Sequence, residues 1–284
     1  MLFRSDDLYA YEGTLGVSYE GSIPILKIWA PTARSVKVRL YESAISEKPV
    51  EGSPFCLAPL SANGQWTGVW EIRGEASWRN LFYLYEVEVL MRSSGKVERN
   101  EVTDPYSISL SKNGKRSQLV DLNDPSLKPE GWDSLKKAVL ACPEDIVIYE
   151  LHLRDFSVYD DTVPASHRGT YLAFSHPNSN GMKHLRRIAD AGLTHIHLLP
   201  VFDIATIEED RALQKKPEIT LTAPDSPDPQ SAVEAVKNQD AYNWGYDPHH
   251  YMAPEGSYST DPDGATRVLE FREMVKSLSQ AGLR

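Results

Sequence analysis

The 284 residues include only two cysteines, Cys56 and Cys142, and neither stands in a ligand spacing such as C-x-x-C. A disulfide framework or a thiolate metal site is thereby excluded as the organising feature. Positive charge is also scarce, since 30 Lys and Arg against 40 Asp and Glu leave a net charge of −10. Phosphate-rich partners need a basic face, so nucleic acid and membrane are both excluded as partners. No apolar run approaches the roughly 20 residues that span a bilayer, and residues 1–12 show neither a secretory nor a transit pattern, so a soluble chain is expected. What is present is apolar and aromatic material, 41% hydrophobic with 6 Trp and 14 Tyr. That suffices for real cores, and flat rings suit the apolar faces of sugars as well as ordinary packing.

Residues 1–120 alternate with the period of two that marks half-buried strands, which predicts an all-β, immunoglobulin-like sandwich. Leu26, Ile28 and Ala30 alternate around Lys27, and Val36, Val38 and Leu40 oppose Lys37 and Arg39. Tyr85, Val87 and Val89 alternate with Glu86 and Glu88. Turn signals fall at Ala62-Asn63-Gly64, Ser93-Ser94-Gly95 and Lys112-Asn113-Gly114. Trp66, Trp70 and Trp78 could form a sugar platform, although alternation places Trp70 in the core with Ile72 equally well. A connector over 121–144, holding Pro125, Pro129 and Pro143, leads out of the sandwich.

From 145 onward the pattern is strand and helix in alternation. Residues 146–153 are mostly apolar, as in a strand buried on both faces, and end in Arg154-Asp155-Phe156. Met182, Leu185, Ile188, Ala189 and Leu193 recur at helical spacing, with Gly192 as a C-terminal stop. A second strand is predicted over 194–202. Asp263 is placed to cap a second helix whose face is Val268, Phe271, Met274, Val275 and Leu278. Both helices end alike, in Ala191-Gly192-Leu193 and Ala281-Gly282-Leu283, and the first ending runs directly into a strand. The repeat predicts a third strand after Arg284. A (β/α)8 barrel takes about 250 residues, so 145–284 reads as the N-terminal part of one, apparently truncated.

A long loop is predicted over 203–262, with a mobile, proline-rich middle at 216–230 and an ordered, ligand-facing part at 242–248. His195 and His197 form an H-x-H pair that a zinc hydrolase would use, but they sit in mid-strand with no further ligand motif. Buried, hydrogen-bonded histidines are expected there and no metal site. His249 and His250 stay unassigned.

The segment Tyr242-Asn243-Trp244-Gly245-Tyr246-Asp247-Pro248 resembles the signature loop of the pullulanase and limit dextrinase group, starch-debranching enzymes of the alpha-amylase superfamily, glycoside hydrolase family 13. Residues 26–33 resemble that family's starch-binding-type, carbohydrate-binding sandwich. Similar matches lie at 149–157 and 194–202, the first two barrel strands, and at 256–264. The resemblance implies hydrolysis of alpha-1,6-glucosidic linkages in pullulan, amylopectin and limit dextrins by a retaining mechanism. It implies that the catalytic aspartate, glutamic acid and stabilising aspartate lie beyond Arg284, so that Glu150, Asp155 and Asp203 hold no catalytic role and this chain by itself is inactive. It implies a substrate-binding set of Tyr246, Asp247, Tyr242 and Trp244, with Tyr246 stacking under the glucose next to the cleaved bond. An alpha-glucan is the implied partner. No cofactor is implied; calcium occurs in the family but falls on no residue here. A plant-type limit dextrinase would reside in the plastid, while 158–171 also resembles secreted bacterial pullulanases. Branching enzymes and trehalohydrolases fit the loop less well. The alternative from another class is a non-catalytic glucan-binding or regulatory fragment that uses the sandwich.

Overall fold

The computed structural model describes residues 7–220, 223–237, 239–241 and 243–284. Tyr242, residues 221 and 222 of the proline-rich segment, and residues 1–6 lie outside the described residues. The chain forms two compact units, Met1–Asp121 and Leu122–Arg284. No helix of the described residues is long and apolar enough to cross a membrane.

The first unit holds two antiparallel sheets. One has the order β1-β2-β6-β5, from Gly16–Glu20, Ile23–Trp29, Gln65–Arg73 and Ala58–Ala62. The other runs β4-β3-β7-β8, from Phe55–Cys56, Ala33–Tyr41, Phe82–Met91 and Lys96–Val102, with β9, Ser117–Gln118, beside β7. Alternation decides the faces. Leu26 and Ile28 from one sheet and Val36, Val38, Leu40, Tyr83 and Tyr85 from the other close a common core. Between Leu26 and Ile28, Lys27 points outward and pairs with its cross-strand neighbour Glu71 at 3.0 Å. Asn63 and Gly64 both adopt positive φ, 53° and 78°, as a two-residue turn between β5 and β6 demands.

Outward-facing charge in this sheet is less solvated than its alternation implies. Glu86, opposite Lys37 in the register, is 4% exposed beneath Arg39 at 2.5 Å, Arg99 at 3.4 Å and Lys37 at 3.5 Å. The hydrogen bond from Arg39 holds its carboxyl below the usual range. Trp70 and Trp78 are buried in the core, and Trp66 is half-buried against Tyr9 and Trp70. Packing has thus consumed the rings a sugar platform would require.

In the second unit, β10 (Ile148–Leu151) and β11 (His195–Leu198) pair in parallel and are joined through α1 (Leu153–Ser157) and α2 (Asn180–Asp190). The side chain of Ser179 caps α2 by accepting from Met182 N–H, and Met182 and Leu185 are buried. The helix stops as its sequence predicts. Leu193 N–H bonds back to Ile188 O at 3.0 Å, with Gly192 at φ 110°, a conformation that a side chain would strain. The final helix, α4 (Thr266–Gln280), repeats the device with Leu283 N–H on Leu278 O at 3.0 Å and Gly282 at φ 80°. Its cap residue is Ala265 rather than Asp263, with no side-chain bond. Val268, Met274 and Leu278 face a core shared with Leu151, Leu153, Tyr171, Phe174, Met182 and Leu185.

Four expectations are corrected here. Ile148 and Tyr149 are exposed because the sheet in this unit has only two described parallel strands, leaving β10 uncovered. The second strand stops at Leu198 because its partner β10 ends at Leu151, after which His152 caps α1 and the chain leaves the ladder. Phe202–Ile204 instead forms β12, which pairs antiparallel with β13 (Pro248–Pro254) inside the stretch read as loop. The same stretch contains a short helix, α3 (Asp228–Glu234), which begins within the segment read as mobile.

Candidate glucan-contact loop

The segment 243–247 crosses the C-terminal ends of both parallel strands and is pinned from four sides. His152, the residue after β10, brings Nε2 to 2.7 Å from the Asn243 carbonyl oxygen. The Asn243 side chain donates to Thr206 Oγ1 at 2.9 Å and accepts from Gly245 N–H at 2.6 Å. Gly245 has φ 82°, and a Cβ there would lie 2.7 Å from Pro200 Cβ, so the close approach after β11 admits no side chain. Ala205 N–H donates to Asp247 O at 2.9 Å, tying the end of the loop to β12.

A backbone held this firmly turns two rings outward. Trp244 is 58% and Tyr246 70% exposed, and Asp247 is exposed beside them. They border an open depression of about 420 Å³ whose wall also includes Thr206, Val233 and Asp240. Flat apolar faces next to carboxylate and hydroxyl groups suit a sugar, whose rings stack and whose hydroxyls hydrogen-bond. Of the expected substrate set, the structure brings Trp244, Tyr246 and Asp247 together.

Behind the loop lies a charge cluster that sequence reasoning missed. Arg267, fully buried on α4, sits 3.1 Å from Glu209 and 3.4 Å from Asp203, and donates to Pro254 O at 3.1 Å. Glu255 accepts from Ile204 N–H at 2.7 Å and from Ser257 N–H at 2.8 Å. Burial, with Glu209 and Asp203 nearby, pushes Glu255 up to about 8 against the pull of Ser257 and Arg267. His250 Nδ1 meets Asp203 Oδ2 at 2.7 Å, and His249 Nδ1 approaches the same oxygen at 3.4 Å. Burial and His250 push His249 down. Asp203, His249 and His250, or Asp203, Glu209 and Glu255, bring ligand atoms within 4.8 Å of one another. The guanidinium of Arg267 already serves as the internal cation of both groups. The signal in the sequence was an arginine next to Val268 on the apolar face of a helix.

The remaining candidates separate. His197 is exposed and lies 3.3 Å from Glu150, its register partner on β10, while His195 is half-buried against Thr194 Oγ1 at 2.8 Å. The expectation of two buried histidines therefore fails for His197, since β11 is uncovered on that face. Asp155 is exposed and paired with Arg154 at 2.6 Å, and Asp203 is locked beneath Arg267.

The chain thus sets an antiparallel sandwich before a parallel β-α-β unit that displays aromatic rings at its strand ends. In agreement, residues 14–107 match the model of carbohydrate-binding module 48 (Isoamylase N-terminal domain). The chain is similar to pullulanases along nearly its whole length. It is 42% identical over 283 residues to "Pullulanase 1, chloroplastic" of Arabidopsis thaliana, covering 98% of this chain and 28% of that protein. Identity to the pullulanase of Klebsiella pneumoniae is 39% over 321 residues, covering 97% of this chain and 28% of that one. A crystal structure of Klebsiella pneumoniae pullulanase complexed with maltotriose superposes with a TM-score of 0.87 at 36% identity, covering 98% of this chain and 30% of that chain. The chain thus spans 28% of the length of these two curated relatives.

Proposed function

We propose that the chain is part of a starch-debranching hydrolase of the pullulanase and limit dextrinase type, acting on alpha-1,6-glucosidic linkages, and that its second unit opens a (β/α)8 barrel. The observation that carries this reading is the pinned loop 243–247, which displays Trp244 and Tyr246 where parallel strands end. Barrel enzymes place their chemistry at that end. The maltotriose bound by the Klebsiella relative supports a glucose-unit ligand.

In this reading Tyr246 stacks under the glucose beside the cleaved bond, and its ring face favours the positive charge of an oxocarbenium-like transition state. Asp247 orients a sugar hydroxyl, and Trp244 with Tyr242 shapes the loop. A retaining reaction uses two carboxyl groups about 5–5.5 Å apart across the bond. The clustered acids of this chain, Asp203, Glu209 and Glu255, are instead buried around Arg267. Trp244, Tyr246 and Asp247 therefore supply the substrate surface and the buried acids do not supply the reacting groups, so the chain by itself is expected to be inactive on pullulan. The match of residues 14–107 to a carbohydrate-binding module also favours a second reading, a glucan-binding protein without catalysis. The chloroplastic relative in Arabidopsis supports a plastid setting.

Calorimetric titration with maltotriose tests the shared element of both readings. Tyr246→Ala is expected to lower affinity by about tenfold, one decade of the binding constant. Unchanged affinity in this variant would remove the loop from the glucan site.

A further inference from the structure

We infer that His152 is a positioning residue for the glucan-contact loop, acting through the backbone carbonyl of Asn243. The inference rests on the proposed role of Tyr246, and the test separates the two. His152 is seated at the end of β10 with its side chain 9% exposed. Its Nδ1 accepts from Asp155 N–H at 3.3 Å, capping α1. A ring nitrogen that accepts carries no proton, which leaves Nε2 as the donor. That N–H points at the Asn243 carbonyl at 2.7 Å, and Tyr258 Oη lies 3.2 Å from the same nitrogen.

The ring of Tyr258 is buried in the core of this unit, edge-on to His152 with centroids 6.1 Å apart and edge-on to Tyr171 at 6.0 Å. One imidazole therefore spans from a helix cap to the start of the loop, 91 positions further along the chain. From Asn243 the restraint passes to Gly245 through the side-chain oxygen, and Gly245 immediately precedes Tyr246. Positional order at the ring of Tyr246 reduces the freedom that a sugar must remove on binding, which is where a positioning residue contributes affinity. The motif containing His152 is one of those singled out in the sequence, and neither the stacking nor the depression uses its side chain.

The decisive variant is His152→Asn, because asparagine keeps the acceptor that caps α1 while lacking the reach to Asn243. Maltotriose affinity of the full 284-residue chain is measured calorimetrically for the parent, His152→Asn, Tyr246→Ala and the double variant. The expected result is about a fivefold loss for His152→Asn that shrinks below about twofold in the Tyr246→Ala background, as coupled residues require. Equal losses in both backgrounds would show that His152 acts elsewhere, and so would a His152→Asn affinity within twofold of the parent while Tyr246→Ala loses tenfold. Either result overturns the inference and leaves the role of Tyr246 standing. If Tyr246→Ala has no effect, both fall. A readout independent of folding is the imidazole ¹⁵N spectrum of the parent. The proton is expected on Nε2 of His152, and a proton on Nδ1 alone would overturn the assignment whatever the variants do.

Discussion

The carbonyl oxygen of Arg284 accepts from Ile196 N–H at 2.9 Å, while Arg284 N–H donates to Thr194 O at 3.0 Å. This pair of bonds, reaching residues on either side of His195, is the pattern of a parallel ladder. Arg284 thus occupies a third-strand position beside β11, following α4 as Thr194 follows α2. Beside it, Ile196, Leu198, Met274, Leu278 and Leu283 line an apolar cavity of about 580 Å³. Two β-α units of one kind stand in sequence here, each closed by the same glycine-stopped helix end.

The two units should differ in resistance to protease. In the sandwich, each sheet covers the inner face of the other, whereas β10 leaves Ile148 and Tyr149 exposed on a two-stranded sheet. Open edges and uncovered faces lower the cost of local opening. Limited proteolysis followed by mass spectrometry is expected to leave a fragment ending between 121 and 144, with the second unit degraded first. Equal survival of both units would contradict this.

A pH dependence follows from Glu255. Burial pushes its folded-state carboxyl up to about 8, against 4.5 for an ordinary glutamate. The folded state therefore binds more protons than the unfolded state between those values, so this group's contribution is full below about 4.5 and is lost as pH rises through about 8. The acids facing it are Asp203 and Glu209, the cation is Arg267, and His250 sits on the far side of Asp203. Thermal melts at pH 5 and pH 8.5 should show a lower melting temperature at the higher pH. Glu255→Gln, which cannot ionise, should narrow that gap. A gap as wide in the variant as in the parent would assign the dependence to other groups.

What was legible in the sequence is what short-range physics determines. Val36, Val38 and Leu40 alternate because one face of β3 is core, and Ala-Gly-Leu at 191–193 and 281–283 ends two helices by the same local hydrogen bonds. Residues 242–248 stood out by composition, but the devices that hold them did not. His152 lies 91 positions from Asn243, and Arg267 lies 58 from Glu209 and 64 from Asp203. Those pairs exist only once β12 and β13 have met, and β13 starts with a proline and two histidines, a sequence with little strand signal. Exposure on β10 was equally hidden, since an apolar run shows that cover suits it and not which neighbours provide it.

The displayed rings give the last prediction its form. If Tyr246 contributes through the face of its ring, Tyr246→Phe should bind maltotriose within about twofold of the parent, whereas Tyr246→Leu, apolar but not flat, should lose about fivefold. A hydroxyl role removes the difference, with phenylalanine as poor as leucine. Trp244→Ala removes the second ring on the same loop. Its loss should be smaller than that of Tyr246→Ala if Trp244 shapes the loop and does not stack. All these side chains are exposed, so their truncation should leave the melting temperature close to that of the parent. Calorimetry on Tyr246→Phe, Tyr246→Leu and Trp244→Ala, with melts alongside, separates ring from hydroxyl and binding from folding. A tyrosine-to-phenylalanine loss as large as tyrosine-to-leucine would replace stacking with a hydrogen bond as the basis of the site.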